Sequence, residues 1–176
     1  MLRKNSSAFT LIELLVVIAI IGMLATMITL VVSPVRAKAR DARRQADIKQ
    51  IMTALEIYYS VNSQYPVSGG AMVPNNGWST SNDSSWQTLQ TAMNAQISRL
   101  PVDPMQFPTG WPGGGQFAYS YYSLTSGCDR QWFMLVYQLE KAEGPDYGVT
   151  ACDGTFFQYG GNGANTSIKT VGARAK

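Results

Sequence analysis

A single carboxylate, Glu13, stands in the apolar run AFTLIELLVVIAIIG, Ala8 to Gly22. A charge at bilayer depth costs roughly 2.5 to 3.5 kcal/mol on insertion scales, so an acid in such a run marks a partner or a mechanism. The chain contains no histidine, which removes His-based triads, His-ligated zinc and the commonest general base. It also has no G-x-S-x-G, P-loop or paired-carboxylate pattern, so the reading is not an enzyme. The two cysteines, Cys128 and Cys152, show no C-x-x-C spacing. Two readings are open for them. A structural disulfide would close a loop of about 25 residues, worth roughly 3.5 kcal/mol, and would imply an oxidising compartment. The alternative is two reduced thiols buried as small apolar residues. Asp103, Asp129, Asp146 and Asp153 lie in Gly- or Pro-containing loops and could offer oxygens to calcium. Asp146 and Asp153 are the metal candidates retained, although the spacing D-x-[DN]-x-[DN]-G is absent. No other cofactor is implied.

The elements that must position these groups begin with the membrane segment. At 176 residues the chain holds one modest domain plus an anchor, and 45% hydrophobic with 14% charged residues fits that combination. The net charge of +3 is small and does not argue for nucleic acid. A polar leader, residues 1–8, carries Arg3 and Lys4, and Leu14 to Val32 is an uncharged apolar stretch of about 19 residues. That length spans most of a hydrocarbon core. Removal of the whole segment as a secretory signal stays open, because Ala37-Lys38-Ala39 forms a small-x-small site. No cysteine stands next to the apolar run, which excludes a lipoprotein.

Ala37 to Tyr59 contains neither Gly nor Pro and predicts helix. The helix is expected to be continuous from Phe9 to about Tyr59, interrupted only by Gly22 and Pro34. Ile48, Ile51, Met52, Leu55 and Tyr58 or Tyr59 recur at helical spacing and give one face to pack on a domain. Arg36, Lys38, Arg40, Arg43, Arg44 and Lys49 are assigned to other faces, as a solvated or headgroup-facing surface with pairs such as Arg43 and Asp47. Contact with phosphate along a nucleic acid is the alternative for this cluster.

From Asn62 to about Ser85 the composition turns to Gly, Ser, Asn and Pro, a polar loop. Trp86, Leu89, Met93 and Ile97 then fall on one helical face. Strands are predicted over Phe117 to Leu124 and over Gln131 to Glu140, the latter apolar on both faces. Shorter strands near Val149 to Cys152 and Thr155 to Tyr159 are expected to complete a small antiparallel sheet. The Gly/Asn-rich segment from Gly160 is read as a loose tail. Tyr119, Tyr121, Tyr122, Trp132 and Tyr137 are read as core or interface residues, with a stacking platform as the alternative. The fold class is α+β: a long N-terminal helix, membrane-spanning in its first half, packed on a small antiparallel sheet. The divisions are 1–8 leader, 9–33 membrane or filament-core helix, 34–62 amphipathic continuation, 63–159 globular domain and 160–176 flexible tail.

The segment SSA followed by FTLIELLVVIAIIGMLA resembles the N-terminal signature of type IV pilins and type II secretion pseudopilins. The resemblance continues through ARDARRQADIKQIMTALEIYY and NSQYP, with LPVDP as a fainter echo. Ala8 stands where the family most often has Gly. The resemblance implies cleavage between Ala8 and Phe9 by a prepilin peptidase, N-methylation of Phe9, and assembly through Phe9 and Glu13. The new amine at Phe9 would pair with Glu13 of an adjacent subunit. It also implies that calcium can sit in a C-terminal loop.

The implied protein is a structural subunit of an extracytoplasmic helical filament, either type IV pilus or secretion pseudopilus. Its partners would be copies of itself and related pilins, the peptidase, and an assembly platform with its ATPase. Counted naively, the basic residues after the apolar run place the C-terminal domain in the cytoplasm. A disulfide between Cys128 and Cys152 would argue, with the family's topology, for a single pass through the cytoplasmic membrane with that domain outside. The alternatives are a monomeric membrane-anchored binding domain, a DNA-uptake pilin and a cleaved secreted enzyme. A Glu13 that merely snorkels to the headgroups is the alternative to pairing.

Overall fold

The computed structural model describes residues 9–69, 77–105, 107, 111–124, 127–128 and 130–174, without the side chains of 27–31 and 174. Two compact units divide between Ala37 and Lys38. Helix α1, Leu11–Asn62, carries Pro34 inside it and matches the expected helix to within a few residues. Among the described residues no helix is long and apolar enough to cross a membrane. Positions 27–31, which continue the apolar run in the sequence, lie outside the described side chains. The leader, Ala8 included, also lies outside the described residues.

Helix α1 stops at Ser63, whose φ of 53° is left-handed. The Ser63 N–H donates to the Tyr59 carbonyl at 2.8 Å, and Asn62 Nδ2 donates to the Tyr58 carbonyl at 2.9 Å. Two of the helix's last carbonyls are thereby satisfied. In the unit from Lys38 onward, Ile48, Ile51 and Leu55 are buried, with Met52, Tyr58 and Tyr59 packed partly against the same cluster. The face read from spacing is the face that packs.

Strands β1 (Ser79–Thr80), β2 (Ser120–Tyr122), β3 (Trp132–Gln138) and β6 (Ile168–Arg174) form one sheet in the order β1-β2-β3-β6. All its pairings are antiparallel. Every residue of β3 is buried. Because successive strand side chains point to opposite faces, Phe133, Leu135 and Tyr137 join the cluster containing Ile51 and Leu55. Trp132 and Met134 face the other way and meet Val149 and Ala151. The short strands β4 (Val149–Thr150) and β5 (Phe156–Phe157) were expected in the main sheet but form a separate two-stranded one. Phe157 lies nearly parallel to Trp132, with ring centroids 5.3 Å apart. Cys128 and Cys152 are disulfide-bonded, with Cα atoms 6.0 Å apart, and pack at this second cluster.

Helix α2, Ser84–Ala92, begins at Asp83, whose Oδ1 accepts from the Ser85 N–H at 2.8 Å, an ordinary N-cap. It buries Trp86 and Leu89, followed by Met93 and Ile97 beyond its end. The Trp86 indole donates to the Pro101 carbonyl at 3.1 Å, which ties the helix to the turn that follows.

The segment from Gly160 is not a loose tail through its length, because residues 168–174 pair with β3 along all seven positions from Ile168↔Gln138 to Arg174↔Trp132. Strand β6 reads as polar because only Ile168, Val171 and Ala173 are apolar beside its glycine. Its fixing comes from Asp146, which accepts from both the N–H and the hydroxyl of Thr170 at 2.7 and 2.8 Å.

Gly172 is required by close approach, since a Cβ there would stand 2.1 Å from the Phe133 carbonyl oxygen. Gly172→Ala is expected to destabilise the second unit by about 1 to 3 kcal/mol, as overpacking does. Urea titration of the detergent-solubilised chain checks this through tryptophan fluorescence, since all four tryptophans, Trp78, Trp86, Trp111 and Trp132, lie in that unit.

Candidate functional site

Phe9, Ile12, Glu13, Val16 and Val17 line one shallow groove of about 350 Å³ on the N-terminal stretch. Their spacing of three and four puts them on one helical face. Around them the large apolar side chains are exposed, from Phe9 at 79% and Leu11 at 83% to Met23 and Leu24. Glu13 is thus a carboxylate set in an apolar surface with no cover of its own.

Glu13 is engaged within its own chain. Its Oε2 accepts from the Thr10 N–H at 2.8 Å and from the Thr10 hydroxyl at 2.7 Å, and the Thr10 Oγ1 accepts from the Glu13 N–H at 3.3 Å. This is a reciprocal capping box, in which a Thr and the acid three residues later satisfy each other's orphan backbone donors. The spacing T-x-x-E at Thr10 to Glu13 signals it in the sequence, and the reading of Glu13 as a bare acid missed it. Negative charge in the first turn also complements the helix dipole.

A second charged constellation lies in the other unit. Arg44, with no exposure at all, grips Asp103 with two bonds: Nε to Oδ2 at 2.7 Å and Nη2 to Oδ1 at 3.1 Å. Its Nη1 reaches Asp41 at 2.7 Å and Glu140 at 2.9 Å. Arg40 adds a bidentate pair to Glu140, both bonds at 2.6 Å. Asp41 also accepts from the N–H groups of Glu140 and Lys141 at 2.9 and 3.1 Å. The Phe117 ring lies 4.3 Å from the Arg44 guanidinium carbon, and the Tyr119 hydroxyl donates to Asp47 at 2.9 Å. Burial works against the charged form of Arg44, but the hydrogen bonds it donates to Asp103 and Glu140 outweigh it and its pKa rises.

The assignment of every basic residue to a solvated surface is therefore corrected for Arg44. Its position, four before Ile48 and seven before Ile51, puts it on the apolar stripe itself, and Asp41 continues that stripe one turn earlier. Arg36, Lys38, Arg43 and Lys49 are exposed as read, and Arg43 lies 3.8 Å from Asp47. The aromatic reading also divides. Tyr119, Tyr121, Trp132 and Tyr137 are buried, whereas Tyr122 is half-buried among Trp78 and Trp132.

The calcium candidates are not brought together. Asp103 is spent on Arg44. Asp146 Oδ1 accepts from Gly148 and Thr170 N–H groups at 3.3 and 2.7 Å. Its Oδ2 accepts from the Gly160 N–H and the Thr170 hydroxyl at 2.7 and 2.8 Å. A carboxylate has about four lone-pair sites, and all are taken. Asp153 caps its own turn through the Thr155 N–H at 2.8 Å, and Asp129 lies outside the described residues. Among the described residues no group of three or more His, Cys, Asp or Glu is placed to hold a metal ion, so this donor set does not fit a calcium ion.

The pattern described as the prokaryotic N-terminal methylation motif matches residues 3–29. The type II secretion system core protein G of Pseudomonas aeruginosa is 31% identical over 125 residues, covering 70% of this chain and 86% of the relative. Core protein G of Aeromonas hydrophila is 30% identical over 119 residues, 66% of this chain and 80% of the relative. That of Klebsiella michiganensis is 30% identical over 104 residues, 59% and 71%. No solved structure matches.

Arg44→Met is expected to strand three carboxylates at a buried point and to destabilise the second unit by about 3 to 5 kcal/mol. Glu140 adds a pH dependence. Hydrogen bonding from Arg40 foremost lowers its pKa from 4.5 to about 2. A folded pKa below the unfolded one stabilises the fold above the unfolded value and loses that contribution as pH falls through the folded value. Melting midpoints should therefore drop between about pH 4.5 and 2, and the Glu140→Gln chain should show a shallower drop than the parent over the same range.

Proposed function

The chain belongs to the family of the type II secretion system core protein G, and on that premise we propose that it is a structural subunit, not an enzyme, of an extracytoplasmic helical filament. It is inserted as a precursor in the cytoplasmic membrane, cleaved between Ala8 and Phe9 by the prepilin peptidase, and methylated on the new amine. Assembly then proceeds through α1 with copies of itself and related subunits, driven by a platform and its ATPase. The disulfide supports an orientation with the C-terminal domain outside, in an oxidising compartment.

The observation that carries this reading is the exposed apolar sleeve from Phe9 to Leu24 around one carboxylate. A contiguous apolar surface of that kind is covered in use, by lipid before assembly and by neighbouring helices after it. Glu13 gives the cover a direction. A freed amine at Phe9 and the carboxylate of an adjacent subunit, about 4 Å apart, attract by roughly 4 kcal/mol at an effective dielectric of 20, before desolvation is subtracted. The capping box makes the waiting state tolerable, because Thr10 already supplies hydrogen bonds to the acid.

Glu13→Val separates insertion from assembly. The variant is expected to insert and be cleaved, with intact mass showing a chain that begins at a methylated Phe9. Loss of one partner of a desolvated pair costs about 3 to 5 kcal/mol, so sheared filament yield should fall sharply while the processed membrane pool persists. Undiminished filament from this variant would remove the pairing. A parent chain that keeps its leader and stays in the membrane as a monomer would instead make it an anchored binding domain.

A further inference from the structure

Lys169 lies on β6 and is only 7% exposed. Its Nζ donates to the Gly144 carbonyl at 2.7 Å, the Pro145 carbonyl at 3.1 Å and the Thr166 hydroxyl at 3.1 Å. Carbonyl oxygens only accept. The Thr166 hydroxyl commits its own proton to the Ile168 carbonyl at 3.1 Å, so toward Lys169 it too accepts. Three acceptors use all three protons of an ammonium, whereas a neutral amine has two and would turn a lone pair on one of the oxygens. Burial lowers the Lys169 pKa from its ordinary value, and the nearby charges of Asp146 and Glu143 offset only part of that; the three acceptors around Nζ are what specify an ammonium here.

Three neutral oxygens converging on a positive point, with two carboxylates close by, is the arrangement a loop offers to a metal cation. Here the chain supplies the cation. We propose that the Gly144–Pro145–Thr166 cage is a cation site whose permanent occupant is the Lys169 ammonium, so that the loop from Glu143 to Gly148 is ordered without a divalent ion. The surrounding bonds agree with that role. Gly144 accepts from the Thr166 N–H at 2.9 Å and donates its own N–H to Asn165 Oδ1 at 2.8 Å, which draws the loop onto the approach to β6. Asp146, with four donors of its own, ties the same loop to Thr170 and Gly160 and offers no lone pair to a metal. The inference is independent of the filament reading, since it concerns one unit of the chain.

The test is thermal melting of the full chain in detergent at pH 7.5, followed by tryptophan fluorescence, with millimolar EDTA or calcium chloride as probes. The parent midpoint should be the same in both. Lys169→Met, which keeps the length of the side chain and loses its charge and donors, should melt at least about 4 °C lower. Lys169→Ala should recover part of its loss in methylammonium chloride relative to sodium chloride at equal ionic strength. A parent midpoint lowered by EDTA or raised by calcium overturns the proposal, as does a Lys169→Met chain as stable as the parent. Should Lys169→Met fail to fold, Lys169→Ala decides: recovery in methylammonium upholds the site, and no recovery overturns it.

Discussion

Strand β3 has no wet face. All seven residues from Trp132 to Gln138 are buried, and a strand in that position needs apolar cover on both sides and pairing partners on both edges. The amphipathic part of α1 covers one side through Ile51 and Leu55, and the β4–β5 ribbon with the disulfide covers the other. β2 and β6 take the two edges. The other devices of this unit serve that arrangement: Asp146 fixes β6 in place, and Arg44 joins the helix through Asp41 and Glu140 to the end of β3.

Much of this was legible because it rests on periodicity. The stripe Ile48, Ile51, Leu55 and the doubly apolar QWFMLVYQLE state their burial directly. β6 was not legible, because its strand character comes from partners distant in the chain: a buried aspartate on its backbone and a close approach at Gly172 that excludes any side chain. The separate pairing of β4 with β5 was hidden for a related reason, since two-residue strands carry too little pattern to name their neighbour. At the charged positions, Arg44 and Asp41 lie on the apolar stripe by spacing, but charges are seldom fully buried, so their types pointed away from it. Their partners Asp103 and Glu140 are 59 and 96 residues from Arg44, beyond any local signal. Thr10 was readable from spacing alone, since T-x-x-E is a local motif.

The two acid-centred constellations differ in completeness. At Arg44 every charged group finds its partners within one chain, with a bidentate pair and backbone donors closing the remaining positions. At Glu13 the internal bonds all come from Thr10 and fall on Oε2, in an exposed apolar setting where no cation of the described residues reaches it. A closed network holds a domain together, and an open one leaves a carboxylate without a cation.

The position of β6 has a consequence for the order of events during synthesis. β3 is made some thirty residues before the strand that seals its second edge. During that interval the chain holds a strand with an unpaired apolar edge, the kind of template on which other chains aggregate. The second edge of β3 stays open until residues 168–174 reach it. A chain cut short before Ile168 would leave that edge of β3 unpaired, so the solubility of this domain depends on its last strand.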